Sequence, residues 1–161
     1  MLVLHIVFIG VGATLITDIW TMARARVFGV ASLDYGLVGR WFGHMLEGRF
    51  VHERITASPP VRGEKLLGWG GVHYAIGVLF AAGLVAAGGL EWMASPKLLP
   101  ALAFGLLTVA APFLVMQPGM GAGIAARKTP KPWAARGWSI VTHLWFGAGL
   151  YLAALAATLI F

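Results

Sequence analysis

The sequence predicts an all-α fold: an integral membrane four-helix bundle with an additional interfacial amphipathic helix between spans 1 and 2. Three observations carry this. Hydrophobic residues make up 59% of the chain and charged residues 11%, where soluble domains carry about 25% charged residues. The mean hydropathy is +0.82. Four apolar stretches are each long enough for the ~20 residues that a helix needs to cross the hydrocarbon core. They consume nearly the whole chain, so residues 1–161 form a single transmembrane domain with no room for a separate soluble one.

The first span is expected over about residues 2–23. It opens on Met1, Leu2, Val3 and Leu4, without a basic leader or a small-x-small cleavage site, and so reads as a retained span rather than a signal peptide. Arg24 and Arg26 mark its end. A loop follows over about 24–65, then a second span over about 66–89. After a short turn, Ser95 and Pro96 supply an N-cap and a first-turn proline for the third span, about 97–117. A glycine-then-basic loop covers about 118–137, and the fourth span fills 138–161. Pro112 interrupts the third helix, deleting the hydrogen bond to the Thr108 carbonyl, and predicts a kink.

The long first loop is patterned. Leu33, Leu37, Val38, Trp41, Phe42, Met45 and Leu46 recur at helical spacing behind Ser32 as a cap. An amphipathic helix at the membrane interface fits this pattern. Gly36, Gly39 and Gly43 let its backbone approach another helix closely. Pro59 and Pro60 keep the following segment extended, and Glu64 suits the start of the second span.

Charge sets the expected orientation. Arg24, Arg26, Arg40, Arg49, Arg54, Arg62 and Lys65 lie in the first loop region, and Arg127, Lys128, Lys131 and Arg136 in the third. The second holds Lys97 alone. The positive-inside rule then puts both long loops in the cytoplasm and both termini outside. Basic residues that flank spans suit anionic lipid headgroups; no basic stripe interleaved with aromatics points to nucleic acid. The absence of cysteine excludes disulfides, thiolate metal sites and a cysteine nucleophile.

Polar residues inside the spans are the candidate site. Asp18 sits in the first helix with Thr14 and Thr21 on the same face, and an ionisable group at membrane depth points to function by default. His73 with Tyr74, Met116 with Gln117, and His143 bring polar groups to the other spans. At ~1.5 Å per residue, Asp18, His73 and His143 lie roughly 8–11 Å inside the cytoplasmic boundary. Asp18, Thr14, Gln117, Met116 and Tyr74 are therefore ligand-binding candidates. One reading is a satisfied polar network that pins helix register. A second uses Asp18, His73 and His143 as a two-histidine, one-carboxylate set for zinc or iron. A third uses His73 and His143 as haem ligands. A fourth makes Asp18 the titrating group of proton-linked movement of a small solute, or of a quinone or lipid pocket.

Weaker signals complete the pass. Gly68, Trp69, His73 and Gly77 are echoed by Gly137, Trp138, His143 and Gly147, which would suit a duplicated hairpin. Gly119, Gly121 and Gly123 ahead of Arg127 resemble a phosphate-cradling loop, but no strand precedes them. His44 and His52 in the first loop could bind a metal, but read as exposed loop histidines, which usually do not. No serine sits in a nucleophile motif.

Several motifs together carry a likeness to a known family. They are Ser32 to Trp41, Pro59 to Glu64, His73-Tyr74, Ala111 to Phe113, and Met116 to Pro118. Over essentially the whole chain they resemble small bacterial multi-pass membrane proteins grouped as the domain of unknown function numbered 2938. The resemblance implies a bacterial inner-membrane protein of four helices, whose outside termini would then be periplasmic, and brings no catalytic residues with it. The expectation is a non-catalytic binding or accessory membrane protein, with a homo-oligomer or a membrane-complex partner compatible with it. The alternatives are a small proton-linked transporter and a membrane-embedded metalloenzyme.

Overall fold

The computed structural model describes residues 1–161. It is all-helical: α1 (Leu2–Phe28), α2 (Tyr35–Met45), α3 (Tyr74–Ala94), α4 (Leu98–Leu107), a short turn α5 (Gln117–Gly119) and α6 (Pro132–Ile160). Four helices are long and apolar enough to cross a membrane: Leu2–Phe28, Leu66–Ala94, Leu98–Gly119 and Pro132–Ile160.

Each span runs beyond its expected limits. α1 continues through Arg24 and Arg26, because arginine is a good helix former and charge marks a membrane edge, not a helix end. Gly29, at φ 65°, stops it in the left-handed conformation that glycine adopts without strain. The second helix passes Gly89, whose φ of 73° breaks its regularity, and ends at Ala94. The third begins after Lys97, with no side-chain cap, so Ser95 and Pro96 fall in the preceding connection. Pro100 takes the first-turn position where a missing N–H does no harm. The cap of α2 is Asp34, which accepts from the Gly36 N–H at 2.8 Å, while Ser32 Oγ instead donates to the Thr21 carbonyl at 3.2 Å.

Two spans contain π-helical stretches, Leu66–His73 and Pro112–Met116. The second answers the expected kink. Pro112 has no N–H to give, and the ladder widens so that the Gln117 N–H reaches the Pro112 carbonyl. The first includes Gly68, Gly70 and Gly71, whose low helix preference makes a widened ladder cheap. The matching Gly137-to-Gly147 stretch lies in regular α-helix, so the sequence echo is not repeated in the backbone.

The chain divides into two compact units. The first comprises Met1–Ser32, Tyr74–Thr108 and Ile140–Phe161. Its core is Ile9, Leu84, Phe146 and Leu150 among the small residues Ala13, Ala81, Ala101, Ala153, Ala154 and Ala157. Small side chains allow close helix crossings, and dispersion between well-packed helices replaces the hydrophobic drive that lipid removes. A Cβ on Gly10 would lie 2.5 Å from Val78 Cα, and one on Gly105 would lie 2.6 Å from Gly147 Cα.

The second unit comprises Leu33–His73 and Val109–Ser139. In it α2 packs against Leu66–His73 almost backbone to backbone. A Cβ on Gly39 would lie 2.7 Å from Gly68 N, and one on Gly68 would collide with the Tyr35 carbonyl. Arg40 forks onto Glu64, with Nε and Nη2 each 2.8 Å from a carboxylate oxygen, and Val61 N–H adds a third donor at 2.9 Å. Residues 52–55 also pair with the glycine loop: His52 N–H donates to the Gly119 carbonyl at 2.8 Å and Ile55 N–H to that of Met120 at 3.1 Å.

Acid should loosen this unit in two steps. Burial, then the charges of His44 and Arg49, push the His52 imidazole below its usual 6.5. Its stabilising contribution is complete above that value and falls away as protons are forced on below it. The Arg40 guanidinium, then the Val61 N–H, hold the Glu64 carboxyl down at about 2 against an ordinary 4.5. That contribution is present above 4.5 and is lost as the pH falls toward 2. Arg40→Gln should flatten the lower step in a pH series of thermal midpoints and leave the upper one in place.

Candidate functional site: a polar face on the first helix

Thr14, Thr17, Asp18, Thr21 and Arg24 are all buried, at exposures of 1, 5, 4, 8 and 6%. Spacings of three and four put them on one face of α1. The threonines satisfy themselves within the helix. Thr14 Oγ1 donates to the Gly10 carbonyl at 2.8 Å, Thr17 to that of Ala13 at 2.9 Å, and Thr21 to that of Asp18 at 3.0 Å. Their hydroxyl protons are thereby used up. An acidic side chain has no such option, and Asp18 takes a donor from another helix. The Tyr74 hydroxyl, at the first residue of α3, donates to Asp18 Oδ2 at 3.0 Å.

Arg24, read in the sequence only as a mark of the span's end, is part of this face. Its Nη1 donates to Thr142 Oγ1 of α6 at 3.1 Å, and its Nη2 to the Ala31 carbonyl at 3.2 Å. The turn at Gly29 makes the second bond by folding residues 31 and 32 back onto the helix end. Thr17, Arg24 and Thr142 are the participants that the sequence reading missed. The signal was available for Arg24: it lies at i+3 from Thr21 and i+6 from Asp18, on the same stripe. Nothing in the sequence singled out Thr142. One turn along the same helices, Trp20 and Trp145 stack with ring centroids 4.9 Å apart at 17°.

His143 pairs elsewhere in this unit. Its Nδ1 lies 2.8 Å from Thr108 Oγ1, which in turn donates to the Gly105 carbonyl at 2.6 Å. With the hydroxyl proton committed to that carbonyl, the imidazole carries its proton on Nδ1.

The remaining candidates lie in the second unit. His73 closes the π-helical stretch beside Tyr35 at 4.0 Å between ring centroids and Trp69 at 6.1 Å. Met116 and Gln117 end the Pro112 irregularity, and Gln117 Oε1 is buried without a hydrogen-bond partner. His44 and His52, expected to be exposed, are 4% and 5% exposed with their rings 5.2 Å apart. Folding of the loop over α2 buries them: His44 Nε2 bonds the Pro59 carbonyl at 3.0 Å and His52 Nδ1 bonds Ser58 Oγ at 2.8 Å. No three His, Asp or Glu side chains are grouped to hold a metal ion, so the zinc or iron expectation on Asp18, His73 and His143 gains no support.

The arrangement on α1 sets a carboxylate against a phenol inside an apolar helix packing. It contains no nucleophile set against a base. No curated protein and no solved structure is similar enough to the chain to count as a match. The model of one protein family matches residues 7–157. With four membrane-length helices and nearly the whole chain covered, this protein belongs to the family described as protein of unknown function (DUF2938).

Proposed function

We propose that the chain is a multi-pass inner-membrane protein of the binding or accessory kind, with both termini periplasmic, that holds a proton or a small polar ligand at Asp18. The observation that carries this is a carboxylate only 4% exposed within a membrane-length helix, accepting a hydrogen bond from Tyr74 of a second helix. Keeping such a group away from water is costly, and a purely apolar residue would pack there at no such cost. The excess of Lys and Arg in the first and third loops supports the orientation.

The test is stability of the purified protein in lipid nanodiscs across pH and added small ions, for wild type and Asp18→Asn. A ligand that binds only the folded state raises the midpoint in proportion to its occupancy. Some condition should shift wild type and leave Asp18→Asn unmoved. Identical responses of the two proteins under every condition would reduce Asp18 to a structural element. The same samples in vesicles address transport, a reading favoured by the broken helical ladders at Leu66–His73 and Pro112–Met116. Proton flux through wild type, absent in Asp18→Asn, would replace binding by proton-linked movement.

A further inference from the structure

Outside the spans, the segment that follows α2 borders an open recess of about 740 Å³ lined by Arg49, His52, Glu53, Arg54 and Ser58 among others. Two guanidiniums and an imidazole face one carboxylate, so the lining is cationic. His52 is 5% exposed, and its Nε2 is buried without a well-aligned hydrogen bond, the Arg49 carbonyl being an acceptor beside the ring. Ser58 Oγ, 2.8 Å from Nδ1, can donate its proton there, which places the ring proton on Nε2. A buried donor without a well-aligned acceptor is only partly satisfied, and in a basic setting an anion is the acceptor that completes it.

The surroundings narrow the anion. Leu46, Phe50 and Val51 next to the recess are 89, 59 and 74% exposed. Bare apolar side chains close to two arginines suit the depth of lipid headgroups, where phosphate oxygens are the abundant acceptors. The floor is fixed by the His52 and Ile55 bonds to the Gly119 and Met120 carbonyls, so a ligand would not have to order the loop first.

We propose that this recess is a phosphate-binding site in which Arg49 and Arg54 supply the charge and His52 a hydrogen bond. The phosphate is a lipid headgroup diester or a soluble phosphate, and one experiment separates these sources. The full chain in neutral detergent is titrated with inorganic phosphate in one arm and with phosphatidylglycerol in the other, at matched ionic strength, reading the thermal midpoint. Arg49→Gln/Arg54→Gln tests the site. Both positions are exposed, so the variant should fold. Arg127→Gln/Lys128→Gln removes as much charge from the other basic loop.

Wild type and the Arg127/Lys128 variant should respond alike, and the Arg49/Arg54 variant should need about tenfold more ligand. A response to phosphatidylglycerol alone identifies a lipid headgroup; a response to inorganic phosphate alone identifies a soluble one. An equal loss in both variants would mean diffuse attraction between basic loops and anions, and would overturn the site. So would the absence of any rise in wild type with either probe.

Discussion

Asp18→Ala should destabilise the protein by about 2–3 kcal/mol, read from unfolding midpoints in detergent micelles. The substitution removes the carboxylate that accepts from the Tyr74 hydroxyl and empties a position that is 4% exposed. Tyr74→Phe should cost somewhat less, because it leaves the tyrosine ring in place and removes only the 3.0 Å hydrogen bond. The two changes should not add: the double variant should recover about 1 kcal/mol of the summed losses, the signature of a direct pair. Strict additivity would show that the bond contributes nothing. The loss should be smaller in Asp18→Asn, whose amide oxygen still accepts from Tyr74. That is why the asparagine variant, not the alanine one, is suited to asking what the carboxylate binds.

A second large effect is expected at the crossing of α4 and α6. Gly105→Leu should cost about 3 kcal/mol or more, since overpacking a tight interface forces backbone to move. Even the first added carbon would lie 2.6 Å from both Gly147 Cα and the His143 carbonyl oxygen. Gly105→Ala should fall between wild type and leucine. Gly137 in α6 offers the contrast: a Cβ there meets nothing within 4 Å. Gly137→Ala should be neutral, or stabilising by up to about 1 kcal/mol through helix preference alone. Comparable losses at the two positions would mean that the crossing is looser than its geometry. Displacement at Gly105 should also disturb the Thr108–His143 bond, which rests on the same turn.

Composition and spacing made the four spans and α2 legible, because twenty apolar residues or a helical stripe are written locally. Helix ends were harder. Arg24 looked like a boundary, but its long side chain folds inward onto Thr142 and Ala31, contacts that depend on a residue more than a hundred positions away and on the turn at Gly29. The close approach of Gly39 was anticipated from small-residue spacing, whereas its partner Gly68 was not. Of the candidate residues, Asp18 and Tyr74 were both named, but no local pattern joined them: helix rotation decides whether two side chains meet. His44 and His52 were misjudged for the same reason. A loop of Pro, Gly and charged residues reads as solvated, and only its return over α2 buries the two rings.

The backbone bonds from His52 and Ile55 to Gly119 and Met120 carry a topological consequence. Contacts near 3 Å cannot be made across a hydrocarbon layer ~30 Å thick. Whichever compartment receives one of these loops receives the other, so the chain between them must leave and come back, turning round near Lys97. An impermeant reagent applied to sealed vesicles would therefore find cysteines placed at Glu53 and at Ala122 together, or find neither.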